Sequence, residues 1–329
     1  MTPVRLNLLL AAGLVACFVA ALFLGDGRLT FGDLIAALDG RDELPALILR
    51  ELRLPRAILG LVLGAGLGAS GAVLQGYFRN PLADPGVVGI SSSAGLGAVS
   101  ALYFGFAGGA VLAVPLAAIL AAAAGVGALL LLAGPRASAT TLILAGVAIG
   151  SLATALTALL MNLAPNPWAL AEIAYWLMGS LQDASWNEVR FAAPLVACGL
   201  ALLALTPRGL DALSLGEDTA RSLGIDPVRL RLLVVCGTAL AVGAGVAVAG
   251  AIGFVGLVVP HLLRPLTGHR PGALILPSAL GGAMLILLAD LATRLLSGPG
   301  MPLYLGVLTA LIGAPFFLWL VRHLPGRAV

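Results

Sequence analysis

The run PGVVGISSSAGLGAVSALYFGFAGGAVLAVPLAAILAAAAGVGALLLLAGP, residues 85–135, separates Asp84 from Arg136 without a single charged side chain. A helix rises about 1.5 Å per residue and the hydrocarbon of a bilayer is about 30 Å thick, so one crossing uses about 20 residues. At 51 residues the run is too long for one crossing, and basic residues flank it, Arg79 before and Arg136 after. Basic loops collect on the cytoplasmic side of a membrane. The run is therefore expected to leave and return as a hairpin, with Gly108-Gly109 as its turn.

The rest of the chain follows the same pattern. It is 60% hydrophobic and only 10% charged, against about 25% charged in soluble domains, and its mean hydropathy is +1.08. Too few charges remain to solvate a globular surface, so the fold class is an all-α integral membrane protein. All 18 basic residues are arginine, for a net charge of +3. Without lysine there is no P-loop lysine, so the chain is not itself a Walker-type ATPase. The arginines are scattered, which gives topology signals and contacts but no nucleic-acid footprint. Cys17, Cys198 and Cys236 lie far apart in apolar runs and read as small packing residues, not metal ligands. Leu14-Val15-Ala16-Cys17 has the look of a lipoprotein cleavage site. The apolar run nonetheless continues to Leu24, so Leu6–Leu24 is read as an uncleaved first span.

Tracing the apolar runs outward from this hairpin gives ten crossings in five pairs. Leu6–Leu24 leaves and Ala57–Gly76 returns; the hairpin follows; Thr141–Asn162 leaves and Phe191–Thr206 returns. Residues 232–260 are free of charge between two basic flanks, so they are expected to form two short spans broken near Gly250–Gly256. Ala273–Leu296 and Leu303–Val321 complete the set, joined by Ser297-Gly298-Pro299-Gly300. Both termini fall on the cytoplasmic side. Eleven arginines lie inside and seven outside, and five of those seven sit between Asp26 and Arg56, where the charge rule breaks locally. Gly60, Gly64 and Gly68 repeat at four-residue spacing, and Gly243, Gly245, Gly250, Gly253 and Gly256 crowd a second region; such small residues let helices approach closely. The segment 163–190, rich in Trp and Tyr, suits the membrane–water interface.

The sequence carries no catalytic set, no metal-ligand spacing and no cofactor motif. Ion-coupled carriers usually keep a titratable group near the bilayer midplane. Here Asp290 and Arg294, one turn apart near the outer end of a span, neutralise each other. Energy coupling is thus expected from a partner, through the cytoplasmic loop 208–231. In that loop Ser214 and Glu217 fit a capping box for a helix ending near Leu223 with Gly224 as its C-cap. Asp226-Pro227 then opens a second short helix. The rival class is an ion-coupled secondary transporter or channel working without an ATPase; a third is a membrane scaffold.

Several motifs then carry a resemblance. Leu52-Arg53-Leu54-Pro55-Arg56, Ser70-Gly71-Ala72-Val73-Leu74-Gln75-Gly76, Arg79-Asn80-Pro81-Leu82-Ala83-Asp84-Pro85-Gly86 and Gly89-Ile90-Ser91 are similar to the FecCD-type permeases of iron-siderophore, haem and cobalamin importers. So are Tyr175-Trp176-Leu177-Met178-Gly179-Ser180, Leu215-Gly216-Glu217, Gly253-Phe254-Val255-Gly256-Leu257-Val258-Val259-Pro260-His261 and Gly313-Ala314-Pro315. The match runs in order from about residue 30 to 322.

The resemblance implies a homodimer in the bacterial inner membrane, ten spans per subunit, with the translocation path at the dimer interface. It also implies two separate ATP-binding-cassette ATPase subunits and an outer substrate-binding protein. On its terms residues 1–329 form one permease domain. Ser214, Leu215, Gly216, Glu217, Ala220, Arg221, Leu223 and Gly224 would contact the ATPase. Arg53, Arg56 and Arg294 would hold acidic residues of the binding protein; the plainer alternative pairs them only with Glu51 and Asp290. Asn80, Leu82 and Thr140 would form the inner gate. A ferric siderophore is the first expectation for cargo, with haem and cobalamin beside it. Two departures stand out: Ala139 replaces a residue that relatives can have polar, and Met301-Pro302-Leu303-Tyr304 replaces an acidic residue followed by Leu-Pro.

Overall fold

The computed structural model describes residues 2–25, 29–39, 44–106, 112–134, 137–298 and 300–323. Among the described residues the chain is helical throughout, and its one β feature is an isolated bridge between Gly298 and Met301. The helices are α1 (Pro3–Phe23), α2 (Phe31–Leu38), α3 (Leu44–Leu47), α4 (Leu54–Tyr77), α5 (Ile90–Tyr103), α6 (Ala113–Ala133), α7 (Ala139–Asn162) and α8 (Pro167–Leu177). They continue with α9 (Trp186–Leu203), α10 (Pro207–Leu213), α11 (Glu217–Ser222), α12 (Pro227–Ala249), α13 (Val255–Leu263), α14 (Pro271–Leu296) and α15 (Leu305–His323). A π-helical stretch, Ile48–Arg53, joins α3 to α4. Seven of these segments are long and apolar enough to cross a membrane: α1, the α3–α4 segment, α6, α7, α9, α12 and α14. With α5, α13 and α15 they bring the count among the described residues to ten, in keeping with the ten spans expected.

The centre of the molecule is α4, packed along its length against α14 and flanked by α9, α12 and α13. The glycine repeat explains the closeness. A Cβ at Gly64 would strike the backbone of Gly282 and Ala283, one at Gly68 would strike the Ser278 carbonyl, and one at Gly71 would strike the backbone of Gly256. A bilayer offers apolar side chains no reason to leave lipid for one another, so helix association rests on such close backbone packing. The hairpin read from residues 85–135 is present as α5 packed on α6; its expected turn at Gly108-Gly109 lies outside the described residues, as do Asp26, Arg28, Arg41, Asp42, Glu43, Arg136, Pro299 and Arg327.

The charge-free stretch 232–260 breaks where expected but not into two short spans. α12 is a full 23-residue span, and only α13, at 9 residues, is short. Gly250 (φ 69°) and Phe254 (φ 68°) both sit in the left-handed region, and Phe254 packs into the space left by Gly313 of α15. Around this break the chain is knitted to two other segments. Ser180 donates its amide to the Ala249 carbonyl at 2.8 Å, and Gly306 donates its amide to the Gly179 carbonyl at 3.2 Å.

Two ends result. One carries the start of α4, the end of α14, and α8. The opposite end carries α10, α11 and the turn after α4.

Candidate functional site

At the first end three arginines converge, Arg53 from the π-helical stretch, Arg56 from α4 and Arg294 from α14. Asp290 on α14 is 1% exposed and accepts from Arg56 Nε (2.9 Å) and Nη2 (2.8 Å) and from Arg294 Nε (3.0 Å). Arg294 also donates to the Ala21 carbonyl at 2.9 Å, and Arg53, itself buried, donates to the Leu22 carbonyl at 2.9 Å. The last turn of α1 leaves its carbonyls without helical partners, and these two guanidiniums satisfy them. The side chains border an open cavity of about 580 Å³ with Gly25, Leu52 and Gln182. Three guanidiniums therefore line this cavity among its described residues. The pairing with Asp290 expected as the plainer alternative is therefore present for Arg56 and Arg294, while Glu51 pairs instead with its neighbour Arg50 at 2.9 Å.

At the opposite end, the short helices differ from the sequence reading. Ser214 is not an N-cap: its backbone is helical (φ −63°, ψ −22°), it closes α10, and its Oγ donates to the Asp211 carbonyl at 2.6 Å. The reason is Pro207, which starts a helix that the loop reading did not include and that consumes Ser214 at its end. Gly216 (φ 108°) precedes α11 in its place, and Glu217 and Asp218 occupy the first turn, where the helix dipole favours negative charge. Gly224 (φ 81°) does follow α11 in the left-handed conformation expected of it. Asp226 does cap the next helix, accepting from the amides of Val228 (2.8 Å) and Arg229 (3.3 Å). That helix is α12 itself, so α11 is joined to a span through a turn of four residues or fewer. Movement of α11 has little slack to lose.

This end holds a cavity of about 380 Å³ between the two helices and the start of α7, bordered by Ala139, Glu217, Ala220, Arg221 and Tyr77. Asn80 and Leu82 lie in the turn after α4, where the Asn80 side-chain oxygen accepts the Leu82 amide at 2.9 Å. Thr140 is exposed in the first turn of α7, beyond the Ser138 N-cap. Arg79 reaches Glu217 at 3.9 Å, which ties the turn carrying Asn80 and Leu82 to α11.

Sequence reasoning missed three features. Gln75, 1% exposed, donates to the Gly256 carbonyl (3.1 Å) and accepts from Arg264, linking α4 to the segment after α13. Arg231 donates to the Gly134 carbonyl at 2.8 Å, fastening the start of α12 to the end of α6. Ser185 and Glu188 form the capping box that was expected at Ser214, and it opens α9. The last was readable, because Ser-x-x-Glu stands before an apolar run. Among the described residues no group of His, Cys, Asp or Glu is placed to hold a metal ion.

Comparison with known proteins bears on both ends. The FecCD transport family matches residues 13–323. The chain is 41% identical over 293 residues to the cobalamin import system permease protein BtuC of Halobacterium salinarum, covering 88% of this chain and 77% of the relative. It is 38% identical over 322 residues to the Fe(3+)-citrate import system permease protein YfmE of Bacillus subtilis, covering 97% and 95%. Its fold superposes with a TM-score of 0.87, at 33% identity and over 97% of this chain and 99% of the other, on a solved inward-facing conformation of a metal-chelate type ABC transporter.

Proposed function

The chain belongs to the FecCD transport family, and from that premise we propose how its two ends divide the work of an importer. The protein is a multi-pass permease subunit of an ATP-binding-cassette importer for metal chelates; it is not an enzyme, and ATP is hydrolysed on a separate chain. We assign the end with α10 and α11 to the cytoplasm and the end with Arg53, Arg56 and Arg294 to the outside of the inner membrane. Both termini are then cytoplasmic.

In this assignment the permease works as a homodimer with two ATPase subunits below and a substrate-binding protein above. The ATPase pushes on residues 214–224. Because α11 runs into α12 through a short capped turn, and Glu217 lies beside Arg79, the push reaches both a span and the turn that bears Asn80 and Leu82. Those two residues and Thr140 act as the inner gate. Outside, Arg53, Arg56 and Arg294 receive acidic residues of the loaded binding protein. Arg56 and Arg294 exchange part of their hold on Asp290 for that contact, while Arg53 keeps the first span in place. The observation that carries this reading is the short, rigid link from α11 into α12.

The cargo is a metal chelate. Relatives carry names as different as cobalamin and ferric citrate, and a ferric siderophore remains our first choice, with cobalamin and haem next. Reconstitution tests the coupling: the permease with its ATPase in proteoliposomes should move cargo with ATP and not with a non-hydrolysable analogue. Replacing Gly224 by Pro, which removes the amide that Arg221 accepts at 2.9 Å, should leave ATP hydrolysis intact and cut cargo movement at least tenfold. Transport that persists without ATP and follows a proton gradient contradicts the assignment.

A further inference from the structure

Beside the arginine cavity lies a second one of about 590 Å³ with the opposite character. Its walls come mainly from α8 and the loop before α9, with contributions from α5, α9, the end of α12 and the residue preceding α15. They present Trp168, Glu172, Tyr175, Asp183 and Tyr304, and no arginine is among the lining residues. Tyr175 and Tyr304 are stacked, with ring centroids 5.8 Å apart and 11° between planes. Trp168, in the first turn of α8, is 84% exposed. Glu188 is occupied by its capping box, but among the described residues neither Glu172 nor Asp183 is in an ion pair with a basic side chain. Burial raises the Tyr304 phenol above its usual range, with Tyr175 and Asp183 adding to the shift.

Aromatic faces attract cations through their quadrupole, guanidinium and ammonium groups above all, and carboxylates at the rim add charge and hydrogen-bond acceptors. The two cavities meet at Gln182, which borders both. One end of the molecule thus presents an arginine-lined well and an acidic aromatic well side by side. Opposite potentials in contact read the orientation of a partner, because a partner turned end for end meets like charge in both wells.

We propose that the Trp168–Glu172–Tyr175–Asp183–Tyr304 well receives a basic side chain, arginine or lysine, of the docked substrate-binding protein. That contact is the reverse-polarity counterpart of the arginine well, and the pair fixes the direction in which the binding protein sits. The partner's identity rests on the importer reading; the affinity of the well for an organic cation does not.

The full chain in nanodiscs of phosphatidylethanolamine and phosphatidylglycerol, titrated with N-acetyl-arginine amide, tests the site through Trp fluorescence. Saturable quenching is expected, absent with the neutral citrulline analogue and weakened at least tenfold by E172Q together with D183N. Those isosteric changes are expected to leave the melting temperature unchanged. Docking of the cognate binding protein, measured on the same samples, should weaken at least tenfold in the double variant. A charge-reversed variant, Trp168→Ala with Asp183→Lys, should abolish it. Absence of quenching by the arginine amide overturns the site. Quenching with unaltered docking overturns the partner, as does quenching that phosphatidylcholine vesicles compete away while docking is unchanged, which would assign the well to a lipid headgroup. Failure of ATP-driven transport with intact cation binding would strike the importer reading and leave this site standing.

Discussion

α4 and α7 are each 24 residues long and similarly apolar, yet 78% of the apolar window of the α3–α4 segment is buried in the protein and only 22% of that of α7. Hydropathy does not separate them; the placement of small residues does. α4 carries Gly60, Gly64, Gly68 and Gly71 along faces that meet α14 and the backbone around Gly256. α7 has Gly146 and Gly150, which admit the short turn at residues 87–89 at one level only, and beyond them Leu144, Leu152, Leu156 and Leu159 are exposed. In a bilayer an apolar side chain gains little by turning inward, so the inner helix is the one whose backbone others can touch.

The comparison breaks most sharply at Asp290, the charged tie across the α4–α14 seam. Asp290→Ala leaves two mostly buried guanidiniums, Arg56 and Arg294, without their carboxylate. A loss of about 3–5 kcal/mol is expected, typical of removing one partner of a buried ion pair, read as a collapse of the melting temperature in detergent. Next comes Gly68→Val, whose side chain must displace the Ser278 carbonyl. It should cost about 3 kcal/mol, the upper part of the overpacking range, or prevent accumulation of the folded chain. On α7 even truncation of a large apolar side chain should pass almost unnoticed: Leu152→Ala, at a 61% exposed position, is expected within about 0.5 kcal/mol of the parent. A large loss there would mean that the exposed face of α7 is packed within the single chain. Glu217→Gln at the half-exposed contact with Arg79 should likewise cost little stability, at most about 1 kcal/mol. Its effect belongs in transport, as a lowered cargo yield per ATP.

The same contrast shows how much was legible in the sequence. Span number and the hairpin at 85–135 followed from runs of charge-free residues, because a bilayer excludes charge in a way composition records directly. The Asp290–Arg294 pair was legible for the same reason, since charges one turn apart in a span have few other choices. Arg56 joining them was anticipated only as the plainer alternative to docking, because it comes from 234 positions away in the chain. Capping went wrong at Ser214 for a local reason. Ser-x-x-Glu is a sound signal only when the preceding residues are not already helical, and Pro207 makes them so. At Ser185 the preceding residues are not helical, and the signal held. The aromatic well was least legible: its walls come from segments far apart in the chain, and only the fold places Tyr304 on Tyr175.

The most direct measurement is uptake of labelled ferric siderophore, haem and cobalamin in a strain lacking this gene, with and without a working ATPase. The account predicts that import of one cargo disappears, returns with the intact gene, and fails again when the ATPase cannot hydrolyse ATP. Import restored by the gene alone, independent of the ATPase and following the proton gradient, would contradict it.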